Sequence, residues 1–386
     1  MTSVEKKRLG DLVNFKRGYD LPAHSREAGS YPVLSSSGIS GYHSKYKAEG
    51  EGIVTGRYGT LGEMYYVNEK YWPHNTALYV TSFKGNHPKY IYYLLKCLGR
   101  IRTSDKSAVP GVNRNELHEM VIPFVDEKNQ QVKIAAVLSV LDKKIELNKH
   151  INTELEAMAK TLYDYWFVQF DFPDQNGKPY KSAGGKMVYN ETLKREVPAG
   201  WRDDSLWSIA KYFNGLAMQK HRPKSDKYLR VIKIKEMSEG FSEKTEKASI
   251  DIKENAIVEN GDVLFSWSAT LEVQIWAKGR GALNQHIFKV TSDKYPKTFY
   301  YFELRNYLQH FKMIAEKRKT TMGHITQDHL KQSRICIPSN ELLSQIHKRI
   351  NPIFEKQLIL EQENQQLTQL RDWLLPMLMN GQVTVK

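Results

Sequence analysis

The sequence predicts an α+β chain built as an internal repeat, with two similar domains of short strands and loops, each followed by one long amphipathic helix. Three observations predict it. Apolar side chains at Ile134, Val137, Leu138, Leu141, Ile145, Ile151, Leu155, Met158, Leu162 and Tyr165 recur in steps of three and four, with Asn148 filling one seam position. A second stripe keeps the rhythm at Ile346, Ile350, Ile353, Leu360, Leu367, Leu370, Leu374 and Met377, its remaining slots held by Gln357 and the pair Glu363 and Asn364. Such spacing lays a narrow apolar stripe along a helix, and a stripe this narrow calls for a helical partner. Next, the stripes lie about 212 positions apart and each follows an Ile-Pro doublet, Ile122-Pro123 and Ile337-Pro338. Upstream, Leu9, Gly18 and Tyr31 match Leu206, Gly215 and Tyr228 at a separation of 197, and Gly52, Asn75 and Tyr92 match Gly261, Asn284 and Tyr301 at 209.

Amphipathic helices of this length do not stand alone in water, so the economical arrangement pairs them with each other. At 1.5 Å per residue each is about 60 Å long, enough to hold apart whatever its ends carry. Two unrelated core helices of one large domain would leave the upstream matches unexplained.

Taken in order, residues 1–125 read as the first domain. Leu9 to Val13 opens it, Lys16-Arg17-Gly18 follows, and Tyr31-Pro32-Val33-Leu34 runs into the hydroxyl-rich turn Ser35-Ser36-Ser37-Gly38. Gly52 to Gly62 reads as a strand entering a glycine-rich turn, Met64 to Val67 as another strand, and Lys89 to Leu98 as a helix. Residues 126–170 form the first long helix. Residues 171–200 are dense in turn formers and poor in large apolar residues, a linker or small hairpin between the halves. The second domain covers 201–338 and the second long helix 339–386. The change in separation from 197 to 209 implies about a dozen residues inserted in the second domain near Glu236 to Glu259, so like scaffolds carry unlike loops.

Lys and Arg number 57 against 43 Asp and Glu, a net charge of +14, which favours a polyanionic partner and nucleic acid above the rest. Cys97 and Cys336, the two cysteines, form neither a disulfide framework nor a metal site, and the cytoplasm is the expected compartment. Neither a signal peptide nor an apolar run of membrane-spanning length is expected, so no membrane partner.

The basic loops ahead of the two Ile-Pro doublets carry the strongest local signal. Arg100, Arg102, Lys106 and Arg114 surround Ala108-Val109-Pro110-Gly111, and Lys312, Lys317, Arg318 and Lys319 precede Thr320-Thr321-Met322-Gly323-His324. Cations beside small hydroxyl or glycine residues suit phosphate, because the backbone can approach closely. Lys16, Arg17 and Ser36 join them as DNA-binding candidates on the early turns of the first domain. Base reading needs planar or bidentate groups on a rigid frame. Arg57 and Tyr58 offer them in the first domain, and Trp267, Arg280, Asn284, Gln285 and His286, with Lys220 and Arg222 on an early loop, in the second.

No catalytic residues are assigned. The glycines 56, 59 and 62 sit between two strands rather than ahead of a helix, which argues against a cofactor loop. Asn351-Pro352-Ile353-Phe354 lacks the second proline of an adenine methyltransferase Asn-Pro-Pro-Tyr box, and Pro352 reads as a proline near a helix start. The twelve histidines show no metal-ligand spacing. A self-contained DNA methyltransferase or nuclease with a recognition half is the alternative; it requires a cofactor fold or an acidic metal site. A coiled-coil adaptor is a second alternative, and it leaves the paired basic loops without a purpose.

From Phe170-Asp171-Phe172-Pro173-Asp174 through Asn176-Gly177-Lys178-Pro179-Tyr180-Lys181-Ser182 and Gly184-Gly185-Lys186-Met187-Val188 to Arg195-Glu196-Val197-Pro198-Ala199-Gly200-Trp201, the central segment resembles that of the specificity subunits of type I DNA restriction-modification systems. The resemblance covers nearly the whole chain, its Ile-Pro doublets and glycine turns included. It implies two target recognition domains, each reading one half of a split DNA site, separated by two antiparallel coiled-coil helices related by approximate two-fold symmetry. It further implies a non-catalytic chain that docks two methyltransferase subunits. These would hold S-adenosylmethionine, turn the target adenine out of the duplex and methylate its N6, while this chain binds no cofactor. Restriction motor and nuclease subunits would join them.

Overall fold

The computed structural model describes residues 4–57, 63–98, 113–317 and 324–386, with the side chain of Lys317 excepted. The chain divides into two compact units, Met1–Ile145 with Gln366–Lys386, and Glu146–Gln365.

In unit 1 the elements are β1 (Val4–Arg8), α1 (Leu9–Leu12), β2 (Asn14–Arg17), β3 (Tyr31–Ser35), β4 (Gly38–His43), β5 (Gly52–Gly56), β6 (Met64–Val67), β7 (Trp72–Pro73), β8 (Ala77–Ser82), α2 (Pro88–Cys97), α3 (Arg114–Glu119) and β9 (Val121–Val125). The long helix α4 (Lys128–Phe167) follows. β10 (Met187–Asn190) and β11 (Arg195–Pro198) make a hairpin in unit 2. Beyond them come β12 (Arg202–Ser205), α5 (Leu206–Ile209), β13 (Lys211–Asn214), β14 (Leu229–Ile232), α6 (Ile234–Glu239), β15 (Lys247–Ala248), β16 (Ile257–Val258), β17 (Val263–Ser266), β18 (Glu272–Ile275), β19 (Gly281–Leu283) and β20 (Ile287–Thr291). α7 (Lys297–Lys317), α8 (Gln327–Gln332), β21 (Arg334–Ile337) and the second long helix, α9 (Asn340–Met379), complete the order.

The repeat is carried in the topology, with one strand more in the second sheet of unit 2. Unit 1 has an antiparallel sheet β2-β8-β5-β6, a sheet β4-β3-β7 with β3 and β7 parallel, and the pair β1-β9. Unit 2 has β13-β20-β17-β18, then β15-β14-β19-β16 with β14 and β19 parallel, and the pair β12-β21. Buried Val-Leu-Phe-Ser in β17 and Gly-Ile-Val-Thr-Gly in β5 are continuous runs rather than alternating ones because each strand is covered on both faces. Helix α2 starts where Pro88 cannot donate and the His87 side chain accepts from the Tyr90 N–H.

Register corrects three of the residue matches. Leu34 accepts from the N–H of His74 as Ile232 does from that of Asn284, so the separations here are 198 and 210. His74, not Asn75, is therefore the counterpart of Asn284, Tyr31 stands one place out of step with Tyr228, and Gly52 one out of step with Gly261. In β5 and β17, Gly56 faces Ala77 as Ser266 faces Ile287, again 210 apart. A bulge between Asn14 and Phe15, where β2 skips Thr81, adds one residue to β8 and restores 209 for the helices α2 and α7. The separation thus rises from 198 at Ile232 to 210 at Ser266, twelve residues, in the span that contains α6 and β15.

Within unit 2, α4 and α9 run antiparallel. Asn148 donates to Glu363 at 2.7 Å and Asn364 at 3.0 Å, and Asn152 and Gln357 meet through side-chain to main-chain hydrogen bonds. Within unit 1, Arg371 on α9 reaches Asp142 on α4 at 3.0 Å, and Tyr93 donates to the same carboxylate at 2.7 Å. The seam departs from the expected stripe where the helices meet the domain cores. Met158 and Tyr165 are exposed, and Ala159, Tyr163, Trp166 and Phe167 enter the core of unit 2 beside Phe299 and Phe302. Leu370 is exposed likewise, while Leu375, Leu378 and Met379 enter the core of unit 1 with Ile134, Leu138, Leu9 and Tyr90. A stripe of period 3.5 drifts around a 3.6-residue helix, so the face that meets a partner helix is not the face that meets the sheet. Pro352 stands twelve residues inside α9, not near its start.

Candidate nucleic-acid interface

One end of the four-stranded sheet in each unit gathers several of the predicted base readers. In unit 1 this rim is made by the end of β2, the start of β8 and the residue after β5. The Arg57 N–H donates to the Thr76 carbonyl at 2.9 Å, and Thr76 Oγ1 lies 3.0 Å from His74 Nδ1. Across β8, Arg17 donates to Asp20 at 3.1 Å, and the Asn75 amide donates to the same carboxylate oxygen. Asp20 therefore holds two donor side chains in place at the rim. The Ser36 N–H points to Thr76 Oγ1 at 3.4 Å, which brings the β3-β4 turn to the same place. Lys16 stands over the Tyr19 ring at 5.3 Å and Lys47 at 5.5 Å. A hydrogen bond with Tyr79, then the nearby Lys16, holds the Tyr19 hydroxyl below its usual pKa. Burial, reinforced by Arg26, depresses His74, which keeps it neutral at pH 7.

The rim of unit 2 repeats this frame with other side chains. The Trp267 N–H donates to the His286 carbonyl at 3.4 Å, 210 positions after Arg57 and Thr76. Trp267 Nε1 donates to Asn214 Oδ1 at 3.1 Å, spanning β20, and Asn214 is the counterpart of Arg17. Rings of His286 and His324 lie 5.7 and 6.2 Å from the Trp267 ring, and Gln285 Nε2 lies 3.3 Å from His286 Nε2. His324 joins through a bridge to Ser268. In both rims the main chain packs so closely at one glycine that no side chain fits. A Cβ on Gly18 would stand 2.2 Å from the His74 carbonyl oxygen, and one on Gly215 at 2.2 Å from that of Asn284.

Other candidates lie elsewhere. Lys220 ends a short 3-10 turn and Arg222 pairs with Glu246 at 3.7 Å, on the side of the β15-β14-β19-β16 sheet. Arg280 pairs with Glu259 at 3.0 Å, at the end of β17 opposite Trp267. Arg114 opens α3 instead of lying in a loop, and Lys312 is helical within α7, which runs to Lys317. Tyr58, Arg100, Arg102, Lys106, Arg318, Lys319 and Thr321 lie outside the described residues. Thr76 and Asn214 went unnoticed in the sequence, and Asn75 was read only as a repeat match. Their signal is the register of the strands, which composition does not carry.

Donors, acceptors and rings on a fixed frame can recognise. Among the described residues no cluster of three His, Cys, Asp or Glu is placed to hold a metal, and no helix is long and apolar enough to cross a membrane.

The type I restriction enzyme MjaIX specificity subunit of Methanocaldococcus jannaschii is 28% identical over 313 residues, covering 77% of this chain and 69% of that one. The HindI specificity subunit of Haemophilus influenzae is 24% identical over 361 residues, 77% of each. In fold, the chain is similar to the crystal structure of a type I restriction-modification S subunit from M. genitalium, with a TM-score of 0.61 at 15% identity over 98% of this chain and 96% of that one. The family described as type I restriction modification DNA specificity domain matches residues 1–157 and 198–369, one match for each half of the repeat. The chain belongs to that family of type I restriction-modification DNA specificity domains.

Proposed function

We propose that this chain is the sequence-reading subunit of a cytoplasmic type I restriction-modification complex, with each domain recognising one half of a bipartite double-stranded DNA site. The observation that carries the reading is the equivalence of Arg57 and Trp267. The same main-chain position, on the same sheet rim, presents an unlike side chain in each domain, as expected of modules that read different sequences from one scaffold. The net charge of +14 supplies the electrostatic attraction for phosphates.

The long helices act as the spacer and as the docking site for two methyltransferase subunits. Apolar side chains that a lone helix pair has no reason to expose support this: Val140, Leu147 and Met158 on α4, and Ile359, Leu370 and Trp373 on α9. S-adenosylmethionine and N6-adenine methylation belong to those partners, and motor and nuclease subunits add restriction.

The test is the adenine methylation pattern of DNA from a methylation-free host expressing the methyltransferase subunit with and without this chain. A split motif with a fixed gap, methylated only when the chain is present, is expected. Methylation that is identical without the chain overturns the proposal.

A further inference from the structure

The two rims differ in the property that decides which base edge each can bind. Arg57 carries a planar fork of donors, the shape that matches O6 and N7 of guanine in the major groove. Trp267 has one donor, Nε1, and gives it to Asn214 at 3.1 Å. What the second rim offers instead is the Gln285 amide, a donor and an acceptor side by side, set against His286, whose ring in turn lies beside that of Trp267. An amide of this kind matches N6 and N7 of adenine, and an aromatic face beside it packs on a thymine methyl.

The surroundings agree with this division. In unit 1, Asp20 gathers Arg17 and Asn75, so the rim presents a set of donors around one carboxylate. In unit 2, the place of Arg17 is taken by Asn214, whose oxygen anchors Trp267, and the rings of His286 and His324 stand beside the indole. Both reading positions are pinned by their main chain, Arg57 to the carbonyl of Thr76 just before β8 and Gln285 to the carbonyl of Leu216 at 3.0 Å. Each side chain therefore starts from a fixed point, which base reading requires and phosphate anchoring does not.

We infer that the first domain reads a G·C pair through Arg57 and the second reads an A·T pair through Gln285 beside His286. This rests on the chain being a DNA-specificity subunit. The two half-sites then differ in the base type that these two side chains, at non-equivalent points of the two rims, select.

The experiment is methylome sequencing in the methylation-free host, with the chain expressed alongside its methyltransferase subunit as wild type and as Arg57→Lys, Arg57→Ala and Gln285→Ala. Melting of each purified complex shows which variants fold. Lysine keeps the charge and loses the fork. Arg57→Lys is expected to lower discrimination at a single G·C position in one half-site by about tenfold to a hundredfold, with the other half-site read as before. Gln285→Ala relaxes a single A·T position in the opposite half-site. An unchanged motif for Arg57→Lys, with all sites uniformly weaker for Arg57→Ala, makes Arg57 a phosphate anchor and overturns the inference. So does relaxation of the same half-site by both variants. Should Arg57→Ala fail to fold, Arg57→Lys alone decides. A wild-type pattern independent of this chain is read separately, and it removes the specificity reading itself.

Discussion

The main-chain N–H of Arg57 meets the carbonyl of Thr76, and 210 positions later that of Trp267 meets the carbonyl of His286. A guanidinium and an indole thus leave the same point of two separate sheets. Nothing in the residue types announces that relationship; hydrogen bonds between strands establish it.

Gly18 and Gly215 hold these points in place. Replacing either by alanine drives a methyl group into a carbonyl oxygen at 2.2 Å, which backbone must yield to accommodate. Each substitution should destabilise its own unit by roughly 1–3 kcal/mol and impair recognition of one half-site. Denaturant melts with methylation assays on the two variants check this; a neutral Gly18→Ala would mean the rim is softer than the packing indicates.

Asn148 to Leu should weaken unit 2 by about 1–3 kcal/mol, because Glu363 and Asn364 lose their donor while staying buried or half-buried. Changing Asn148 and Asn364 together to leucine should recover only part of that loss, since Asn364 no longer needs a donor while Glu363 still lacks the one Asn148 gave it. The pair of variants is compared by urea denaturation.

In unit 1, Arg371→Met removes the partner of Asp142 and leaves that carboxylate with the Tyr93 hydroxyl alone. A loss of roughly 1–3 kcal/mol is expected, and little of it should be recovered by high salt, as the pair is largely shielded from solvent. Thermal melts at low and high ionic strength measure it.

Burial raises the Glu303 carboxyl from its ordinary 4.5 to about 7, against the pull of a hydrogen bond from Tyr163 at 2.7 Å. The folded state therefore holds a proton that the unfolded chain has already released between those values. Its contribution to stability is fully present below pH 4.5 and is lost as pH rises through 7. Glu303→Gln stays neutral and still accepts from Tyr163, so the difference between wild type and variant should change by roughly 1–3 kcal/mol across that window. A difference that stays flat from pH 4.5 to 7.5 would contradict the shift.

Removing seven residues from both long helices, in matched register, should shorten the unread gap of the DNA motif by about 3 base pairs, from 1.5 Å per residue and 3.4 Å per base pair. The methylated motif of the shortened complex reports it. A folded variant with an unchanged gap speaks against the spacer role.

The repeat, both long helices and the hairpin between the halves were legible because each leaves a periodic or compositional trace. Where the period ceased to report a partner helix, the reading slipped. Met158 and Tyr165 continue the count, yet Ala159 and Tyr163 hold the core, and alanine carries little weight in an apolar pattern. Two asparagines, Asn75 and Asn284, attracted a match that the strands place one residue apart, because the bulge at Asn14 costs one position and alters no composition. Arg57 and Trp267 were picked on chemistry alone. Their equivalence, and the parts played by Asn75, Thr76 and Asn214, depend on strand pairing across distant segments.

The core of the first unit is closed by Leu375, Leu378 and Met379, far along the chain from its strands. During synthesis those strands leave the ribosome about 250 residues before the turn that seals them. The second unit needs nothing beyond Gln365. The domain translated first is thus the last to close, and a chain truncated just after Gln365 would leave the first unit unsealed while sparing the second.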